Sequence, residues 1–504
     1  MTTMTARALL ATLVPSPRLL SKADRASDAP ILDVCCDSRL ANEYSLFVCI
    51  RGAAIDGHRY LPAAYKAGCR AFLVEDASVA LPDDATVWLS DDTRRDLALL
   101  AAAHYGQPAH GMRLVGITGT KGKTSVAMMC YHILKKNGQA VGYIGTNGVL
   151  YCDIQQETNN TTPGPLELHA ILSDMKAAGI ETVLLEVSSQ ALWQKRVWGL
   201  PFTVCAMTNL YPDHLGGAEH PSMEHYAACK HSLLTDYGAP VIIGNADDDT
   251  TPAMMRGVSG KVVLCGIHRA ADRCAEQIRH LCVGVRTVTE FICHHAATNT
   301  RLSVRLPLIG EHNVQNALFA LAITHTLGIP DVKAADALTD ITIPGRFELI
   351  EHRGALIVID YAHNGAAPRA ALSSLREFHP KRLLCLVGSV GGRTQCRRAE
   401  LGAVADELAD FTYLTADDPG EESVEDICRD MIAAFKPRVL PNYTVIPDRA
   451  EAIRAALGEL CEGDILLLAG KGDERTIRIG NKNIPHRDRN VVEAYIQTDK
   501  LMLS

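Results

Sequence analysis

Short apolar runs recur along the chain and separate it into three blocks. In the first block, which extends to residue 108, runs such as 45–50 are broken by glycine and proline. The second block opens with the strand-like run 113–118 and continues with β-rich runs at 182–187, 202–207 and 240–244. The third block begins near Arg346, with apolar runs at 355–359, 383–387, 413–415 and 465–469. Helical patterns fill the intervals, so we expect strands and helices to alternate.

Alternation of this kind predicts parallel sheets with helices on both faces. We therefore expect an α/β protein with three domains at residues 1–108, 109–345 and 346–504, the last boundary being marked by Pro344-Gly345. A length of 504 residues agrees with three domains of about 100–200 residues each.

Composition narrows the class of protein. Hydrophobic residues make up 47% of the chain and the formal net charge is −8, which argues against a partner such as nucleic acid or an anionic membrane. The 16 cysteines are scattered without a CxxC pair, and we expect them to be buried hydrophobes in a reducing compartment rather than a disulfide framework. The cluster Cys293-His294-His295 lacks a second ligand pair at zinc spacing, so we do not interpret it as a metal site.

No apolar run approaches the ~20 residues that a membrane-spanning helix needs. The short apolar run after Arg7 has no small-x-small cleavage site behind it, and an ordinary helix explains it better than a signal peptide. We expect a cytoplasmic protein without membrane insertion.

The motif GITGTKGKTS at 116–125 is the strongest chemical signal in the sequence. It follows a predicted strand and opens a predicted helix that runs from Ser125 to about Lys136, which is the setting of a phosphate-binding loop. In such a loop Lys123 reaches the β- and γ-phosphates and the Thr124 hydroxyl coordinates Mg²⁺. The general pattern has glycine where Ile117 stands here. The residues expected to hold ATP are Gly119, Thr120, Lys121, Gly122, Lys123, Thr124 and Ser125.

The spacing Gly-x-x-Gly-Thr-x-Gly-Lys-Thr is typical of the Mur and folylpolyglutamate ligases, and the chain resembles the Mur ligase family over essentially its whole length. The resemblance implies an N-terminal uridine-binding α/β domain, a central P-loop ATPase domain with a mostly parallel sheet, and a C-terminal Rossmann-like domain that binds an amino acid. It also implies the activity, an ATP-dependent ligase of peptidoglycan precursor synthesis that adds the third residue of the stem peptide. The partners would be UDP-N-acetylmuramoyl-L-alanyl-D-glutamate and a free amino acid, joined through an acyl phosphate by a monomeric enzyme.

The resemblance also assigns roles to polar residues in the first two blocks. Glu186 closes an apolar strand, where a carboxylate is costly unless it is paired or metal-bound. By similarity Glu186, His214 and Lys230 join Thr124 at the magnesium site, with Lys230 carbamylated; Lys123, Lys230 and His214 are the expected catalytic residues. The substrate-binding residues implied by the matching segments are Ser38, Asn160, Thr161, Thr162, Ser188, Gln194 and Arg196.

In the third block, together with the segment just before it, the same resemblance places nucleotide and amino-acid contacts. Asn316, Arg346 and Asp360 are expected to meet the nucleotide. Residues expected to bind the incoming amino acid are Arg393, Asp417, Asp418, Gly470 and Glu474.

The tetrad Asp417-Asp418-Pro419-Gly420 bears on which amino acid is added. Family members that use meso-diaminopimelate resemble Asp-Asn-Pro-Arg here, and the arginine pairs with the distal carboxylate. This chain has Gly420 followed by Glu421 and Glu422, so no cation is supplied locally and like charges would repel a second carboxylate. An ε-ammonium would instead be attracted by Asp417 and Glu474, which favours L-lysine or a similar diamino acid.

Two alternatives stay open at this point. An arginine from elsewhere in the chain, for example Arg397 or Arg398, would permit meso-diaminopimelate. From a different class of function, the chain could be a P-loop ATPase that drives a partner.

Overall fold

The computed structural model describes residues 4–21, 24, 26–52, 55–80, 82–212, 216, 219–283, 286–363, 366–392 and 395–503. The chain divides into two compact units, Met1–Cys274 with Leu318–Lys333 and Ala275–Ala317 with Ala334–Ser504. In the described part of the chain no helix combines the length and hydropathy that crossing a membrane requires.

The first unit begins with a small α/β sheet in the order β2-β7-β6-β5-β4, in which β4 to β7 are parallel. Its strands are β2 (Arg18–Leu19), β4 (Asp33–Cys35), β5 (Ser45–Val48), β6 (Ala71–Val74) and β7 (Thr86–Leu89), and the helices are α1 (Ala6–Leu10), α2 (Leu61–Lys66) and α3 (Thr93–His104). A separate antiparallel pair is formed by β1 (Met4–Thr5) and β3 (Pro30–Ile31). Alternate residues of β5 enter different cores: Leu46 and Val48 pack in the core that includes α1 and α3, and Phe47 packs in the core that includes α2. Burial on both faces explains the continuous apolar run.

A larger sheet follows in the same unit, in the order β11-β10-β9-β12-β8-β13-β14-β15 and then the start of β16. Its strands are β8 (Arg113–Thr118), β9 (Val141–Gly145), β10 (Gly148–Tyr151), β11 (Ile154–Gln156), β12 (Thr182–Glu186), β13 (Phe202–Met207), β14 (Val241–Asn245), β15 (Lys261–Gly266) and β16 (Arg273–Val283). Its helices are α4 (Lys123–Lys136), α5 (Pro165–Ala177), α6 (Ser189–Trp193), α7 (Met223–Thr235) and α8 (Thr251–Met254). Strands β12 and β13 flank β8 in parallel, so Thr118, Glu186 and Met207 end at one edge.

The second unit includes the antiparallel pair β17 (Arg286–His295) and β18 (Thr300–Leu306). Helices α9 (Glu311–Thr326) and α10 (Asp331–Leu338) come next in the chain. The last sheet has the order β19-β20-β24-β21-β22-β23, parallel except at the β19 edge, and a separate hairpin pairs β25 with β26. Its elements are β19 (Glu348–His352), β20 (Ala355–Asp360), α11 (Ala366–Arg376), β21 (Leu383–Val387), α12 (Gln395–Leu408), β22 (Phe411–Leu414), α13 (Val424–Ile432), β23 (Tyr443–Val445), α14 (Arg449–Gly458), β24 (Ile465–Ala469), β25 (Thr476–Ile479), β26 (Lys482–Pro485) and α15 (Asp488–Leu503).

The predicted strands are present, with ends displaced by two residues or fewer. The largest displacements, of two residues, are at β5, which ends at Val48 where the predicted run ends at 50, and at β22, which begins at Phe411 where the predicted run starts at Tyr413. Helix α4 begins at Lys123, two residues before the predicted start, because the phosphate loop passes directly into the helix. The parallel α/β sheets agree with the predicted class, and the domain boundaries at residues 108 and 345 stay predictions.

Candidate functional site

Two lysines converge on the phosphate loop between β8 and α4. Lys123 Nζ donates to the carbonyl oxygens of Gly119, at 2.9 Å, and of Thr120, at 3.1 Å. Lys230 Nζ donates to the same Gly119 oxygen at 2.8 Å and lies 4.6 Å from the centre of the Tyr226 ring. Two ammonium groups on one carbonyl oxygen repel each other, and an anion beside them relieves that repulsion. This charge arrangement suits a phosphate.

The end of β13 gives the loop its shape. The Asn209 amide makes two contacts with the backbone of Lys121, accepting from its N–H at 2.8 Å and donating to its carbonyl at 3.2 Å. Thr208 Oγ1 donates to the same carbonyl at 2.5 Å, and Thr120 Oγ1 lies 3.0 Å from the Tyr226 hydroxyl. The loop is therefore held in place by side chains about 90 residues away in the chain.

Glu186 is fully buried at the end of β12 and accepts four hydrogen bonds. Its Oε1 accepts from the Tyr143 hydroxyl at 2.5 Å and the Thr146 N–H at 3.1 Å; Oε2 accepts from Thr124 Oγ1 at 2.9 Å and Thr146 Oγ1 at 3.2 Å. A Cβ on Gly145 would lie 2.3 Å from Oε1, so the backbone approaches closely here. A carboxylate and two threonine hydroxyls are hard oxygen donors of the kind that Mg²⁺ prefers, and the residues present fit that ion.

The predicted metal residues fall into two groups. Thr124 and Glu186 are in direct contact with each other. Lys230, which lies on α7, contacts the phosphate loop instead. His214 lies outside the described residues.

Four of the predicted substrate residues form one hydrogen-bonded cluster beside the end of β12. Arg196 donates to Gln194 Oε1 at 2.8 Å through Nη2 and to the Thr162 carbonyl at 2.8 Å through Nη1. Thr162 Oγ1 accepts from the Ser188 N–H at 3.0 Å and donates to the Glu186 carbonyl at 2.8 Å. Burial lowers the pKa of Arg196 from its ordinary value. The cluster connects the backbone carbonyl of Glu186 to the half-buried guanidinium of Arg196, whose positive charge suits an acidic substrate.

The remaining predicted substrate residues of the first unit are more exposed. Thr161 Oγ1 lies 3.2 Å from Thr146 Oγ1, next to the Glu186 carboxylate, and Asn160 is exposed one residue earlier. Ser38 is half-buried in the turn after β4, beside the ion pair of Asp37 and Arg39.

Three residues outside the phosphate loop were predicted to contact the nucleotide, and all three lie in the second unit: Asn316, Arg346 and Asp360. The Arg346 guanidinium stands 4.2 Å from the centre of the Tyr361 ring, and the Asp360 carboxylate accepts from the Phe347 N–H at 2.8 Å. Burial raises the pKa of Asp360, and Arg346 opposes that shift. Asn316 is buried on α9, 3.5 Å from the Asn313 side chain.

The predicted amino-acid residues surround a buried lysine. Lys471 is fully buried, and its Nζ lies 2.9 Å from Asp418 Oδ1, 3.7 Å from Asp417 Oδ1 and in contact with Glu474 Oε2. The Tyr361 hydroxyl donates to Glu474 Oε1 at 2.9 Å. We call Asp417, Asp418, Lys471 and Glu474 the acidic cluster.

Burial raises the pKa of Asp417 to about 6, although Lys471 and Arg449 oppose the shift. Burial also lowers the pKa of Lys471, but Glu474, Asp417 and Asp418 together raise it above its ordinary value. Lys471 is therefore charged at neutral pH. Gly470, whose φ is +110°, begins this turn, and a Cβ there would lie 3.0 Å from Asp417 Oδ2.

A fully buried ion pair holds the two strand ends that carry the acidic cluster. Arg449 donates to Asp488 at 2.8 and 2.6 Å, and also to the carbonyls of Ala416, at 3.2 Å, and Ala469, at 2.9 Å. These carbonyls immediately precede Asp417 and Gly470, so Arg449 acts as a positioning residue for both.

The loop after β21 reaches the tetrad that begins at Asp417. The Gly391 N–H donates to the Asp418 carbonyl at 2.9 Å, and a Cβ on Gly391 would lie 1.8 Å from the Pro419 oxygen. Arg393, the predicted carboxylate-binding residue two positions later, lies outside the described residues.

Several residues of these sites carry no role in the sequence-based prediction. They are Tyr143, Thr146, Asn209, Tyr361, Arg449, Lys471 and Asp488. Lys471 offered a signal, because it sits between Gly470 and Glu474 in a glycine-rich element. The pairing of Arg449 with Asp488 offered none, since 39 residues separate them. All the assigned roles stay proposals.

Substitution of Gly119 by alanine is expected to weaken ATP binding. Gly119 has φ +144°, and a Cβ there would lie 1.9 Å from Thr208 Oγ1, so the loop must move. Strain of about 1–3 kcal/mol corresponds to roughly 10- to 100-fold weaker binding in a nucleotide titration. Gly138→Ala is the control, because Gly138 ends α4 with φ +74° and has open space around it. Equal losses in both variants would contradict the steric explanation.

Comparison with known proteins identifies the family of the chain. Three family models match the chain: "Mur ligase family, catalytic domain" at 31–105, "Mur ligase middle domain" at 117–324 and "Mur ligase, glutamate ligase domain" at 345–472. The UDP-N-acetylmuramoyl-L-alanyl-D-glutamate--2,6-diaminopimelate ligase of Caldanaerobacter subterraneus subsp. tengcongensis is 36% identical over 464 residues, covering 92% of this chain and 94% of the relative. The ligase of the same name from Chlorobaculum tepidum is 36% identical over 474 residues, covering 92% of each.

Solved structures share the fold over more than nine-tenths of the chain. A UDP-N-acetylmuramoyl-L-alanyl-D-glutamate--2,6-diaminopimelate ligase aligns over 99% of this chain and 100% of its own with a TM-score of 0.68 at 24% identity. MurF ligase from Thermotoga maritima in complex with ADP aligns over 92% and 97% with a TM-score of 0.60 at 21% identity. The predicted three-domain α/β architecture is thereby confirmed. The chain belongs to the Mur ligase family, and it is an ATP-dependent ligase that forms amide bonds.

Proposed function

We propose that this ligase adds meso-diaminopimelate to UDP-N-acetylmuramoyl-L-alanyl-D-glutamate. Both substrates are those named for the relatives that are 36% identical over 92% of the chain. The comparisons thus favour the alternative over the L-lysine that the tetrad suggests. The structural observation that carries the choice is the burial of Lys471 among Asp417, Asp418 and Glu474.

The sequence-based argument for L-lysine has two premises. Both change when side chains that contact these acidic residues from distant parts of the chain are taken into account. The ε-ammonium of a lysine substrate was expected to be attracted by Asp417 and Glu474, but Lys471 already occupies that position between them. A second ammonium there would meet a like charge.

The second premise was repulsion of a distal carboxylate by Glu421 and Glu422, and the structure changes it at Glu422. The Glu422 carboxylate contacts Arg398 at 2.7 Å and the Gly392 N–H, and these contacts hold the pKa of Glu422 below its ordinary value. Its charge is therefore compensated. Arg398 itself is buried and bound to Glu422 and Asp430, so it supports this side of the site without being available to a substrate.

We propose Arg478 as the cation that receives the distal carboxylate. The strand β25 pairs with the tetrad: the Gly420 N–H donates to the Arg478 carbonyl at 3.1 Å, and the Arg478 N–H donates to Asp418 Oδ1 at 2.9 Å. The Arg478 side chain is exposed beside Gly420, with Nε 3.4 Å from the Gly480 carbonyl. The Arg478 guanidinium therefore lies beside Gly420, the tetrad position at which family members that use meso-diaminopimelate have an arginine.

The proposed reaction has two steps. The side-chain carboxylate of the acceptor's D-glutamate bonds the γ-phosphorus of ATP, and ADP leaves. The amine of diaminopimelate then bonds the acyl carbon, loses a proton, and phosphate leaves. Lys123 stabilises the phosphoryl oxygens, as Lys230 would in its uncarbamylated form, while Arg196 and Gln194 orient the acceptor. Thr124 and Glu186 would hold Mg²⁺, which supplies positive charge to the phosphates.

Carbamylation of Lys230 stays a prediction. A carbamate keeps one N–H, so it can still donate to the Gly119 carbonyl as the amine does. The new anionic group would add an oxygen donor for Mg²⁺ where the ammonium repels it.

The test is ATP-dependent phosphate release with the UDP-linked dipeptide and, in parallel, meso-diaminopimelate, L-lysine and L-ornithine. We expect release with meso-diaminopimelate and a product whose mass rises by one diaminopimelyl residue. Release with L-lysine alone would keep the ligase and overturn the choice of amino acid. Release that depends on no amino acid would contradict the proposed ligase and favour an ATPase that drives a partner.

Substitution of Arg478 by alanine is expected to raise the KM for meso-diaminopimelate with little change in kcat. Loss of charge-assisted hydrogen bonds worth about 1.5–3 kcal/mol corresponds to roughly 10- to 100-fold in KM. Lys482→Ala on the same hairpin is the matched control, because Lys482 is also exposed and cationic. An unchanged KM in Arg478→Ala would remove Arg478 from the proposal.

A further inference from the structure

Three ligand-type side chains meet at the start of α7 and in the segment just before it. They are His220, His225 and Cys229, whose ligand atoms all lie within 4.8 Å of one another. His225 and Cys229 are four residues apart on one face of α7, and His220 comes from the segment just before the Ser222 N-cap of that helix. The set combines two imidazoles with one thiol, the donors that select zinc and related thiophilic cations.

The distances are close to those of a tetrahedral zinc site. His220 Nδ1 and His225 Nδ1 are 2.9 Å apart, and Cys229 Sγ lies 3.8 Å from His225 Nδ1 and 3.9 Å from its Nε2. Zinc bonds to nitrogen and sulfur at tetrahedral angles place two nitrogens about 3.3 Å apart and nitrogen and sulfur about 3.6 Å apart. Rotation of the His225 and Cys229 side chains would bring the three ligand atoms, which already lie within 4.8 Å of one another, to these separations.

The surroundings already orient the rings. His220 is fully buried, and its Nε2 lies 2.9 Å from Ser189 Oγ at the start of α6. When Nδ1 binds a metal, Nε2 carries the proton and donates it to that hydroxyl, which is how metal-bound histidines are normally held. The Trp193 ring packs against both imidazoles, with centroids 5.7 Å from His220 and 5.1 Å from His225. It screens the cluster from water and provides an optical reporter.

We propose that His220, His225 and Cys229 form a zinc-binding site, with a water molecule in the fourth position. The metal would replace the proton shared between the two Nδ1 atoms and tie α7 to the segment before it. On α7 the residue after Cys229 is Lys230, which contacts the phosphate loop, so the site would also stabilise the placement of that lysine.

The test uses the full-length chain, with any affinity tag removed, stripped of metal by a chelator and then titrated with Zn²⁺ or Co²⁺. We expect one zinc per chain by elemental analysis and a thiolate-to-cobalt charge-transfer band with the strong visible bands of tetrahedral cobalt. Trp193 fluorescence should fall as Co²⁺ binds. These readouts do not involve ligase activity, so they are independent of the proposed function.

Cys229→Ala should abolish the charge-transfer band and weaken zinc binding by roughly 100-fold or more, and His225→Ala should weaken it similarly while keeping a thiolate available. Cys152→Ala is the control, since Cys152 is an exposed cysteine outside the cluster, and it should retain the band. If Cys229→Ala does not fold, His225→Ala alone decides, because His225 is partly exposed at the start of α7. Less than a tenth of an equivalent of tightly bound zinc, or a cobalt band that survives in the folded variants, would overturn the site.

Discussion

Glu186→Gln is expected to lower kcat by roughly 10²- to 10³-fold and to raise the Mg²⁺ concentration needed for half-maximal activity. The substitution keeps the size of a fully buried side chain at the end of β12 and removes its charge. The carboxylate accepts from Tyr143, from Thr124 and twice from Thr146, with two donors on each oxygen. An amide has one acceptor oxygen, so its NH₂ group must face two donors, and the negative charge beside Thr124 is lost.

The measurement is a Mg²⁺ titration of phosphate release at saturating substrates. Glu181→Gln is the matched control, because Glu181 lies one residue before β12 and its side chain is 71% exposed. Far-ultraviolet circular dichroism checks that each variant is folded. A Glu186→Gln enzyme with wild-type kcat and wild-type Mg²⁺ dependence would show that Glu186 only supports the β-sheet edge, contrary to its proposed role at the metal.

Local motifs account for the parts of the site that could be predicted from the sequence. The phosphate loop is a continuous segment whose glycines at 119 and 122 adopt positive φ, so its spacing already encodes its shape. Glu186 was recognisable because a carboxylate closes an apolar strand. Parallel strands bring their carboxyl ends to one edge, which is why Glu186 and Thr124 meet as expected.

Charge compensation between distant residues explains what the sequence could not show. The tetrad, considered alone, has two aspartates followed by two glutamates and no cation. In the structure Lys471 is inserted among these carboxylates from 53 residues away, and Arg398 neutralises Glu422 from 24 residues away. Counting charges along the chain therefore missed two cations that lie beside the tetrad. The same limit applies to His220, whose partner Ser189 is 31 residues earlier.

Asp488→Asn is expected to destabilise the strand ends of the second unit by about 3–5 kcal/mol, because it leaves Arg449 charged and buried without its counterion. Both side chains are fully buried, and Arg449 bonds the carbonyls before Asp417 and Gly470. The loss should appear in hydrogen exchange as a lower opening free energy for the amides of β24. It should also raise the KM for the amino acid substrate, since both loops of the acidic cluster depend on Arg449.

The pH dependence distinguishes this ion pair from packing alone. Burial opposes ionisation of Asp488, but Arg449 and His486 hold its pKa well below the ordinary value. A depressed pKa contributes stability that is present above the unfolded value of about 3.9 and is lost as pH falls toward the folded value. We therefore expect the wild-type β24 amides to lose protection below about pH 4, and Asp488→Asn to be less stable at neutral pH with a weaker acid dependence.

The exposed pair Arg429–Asp426 provides the control, because solvent screens it and Asp426→Asn should change little at any pH. If the Asp488→Asn variant loses β24 protection in acid as steeply as the wild type does, other carboxylates control the acid unfolding of this unit. Unchanged β24 protection at neutral pH would mean that Arg449 is held by the two carbonyls alone. The role of Arg449 in positioning the acidic cluster requires both effects, since one guanidinium links the buried counterion to the carbonyls that precede Asp417 and Gly470.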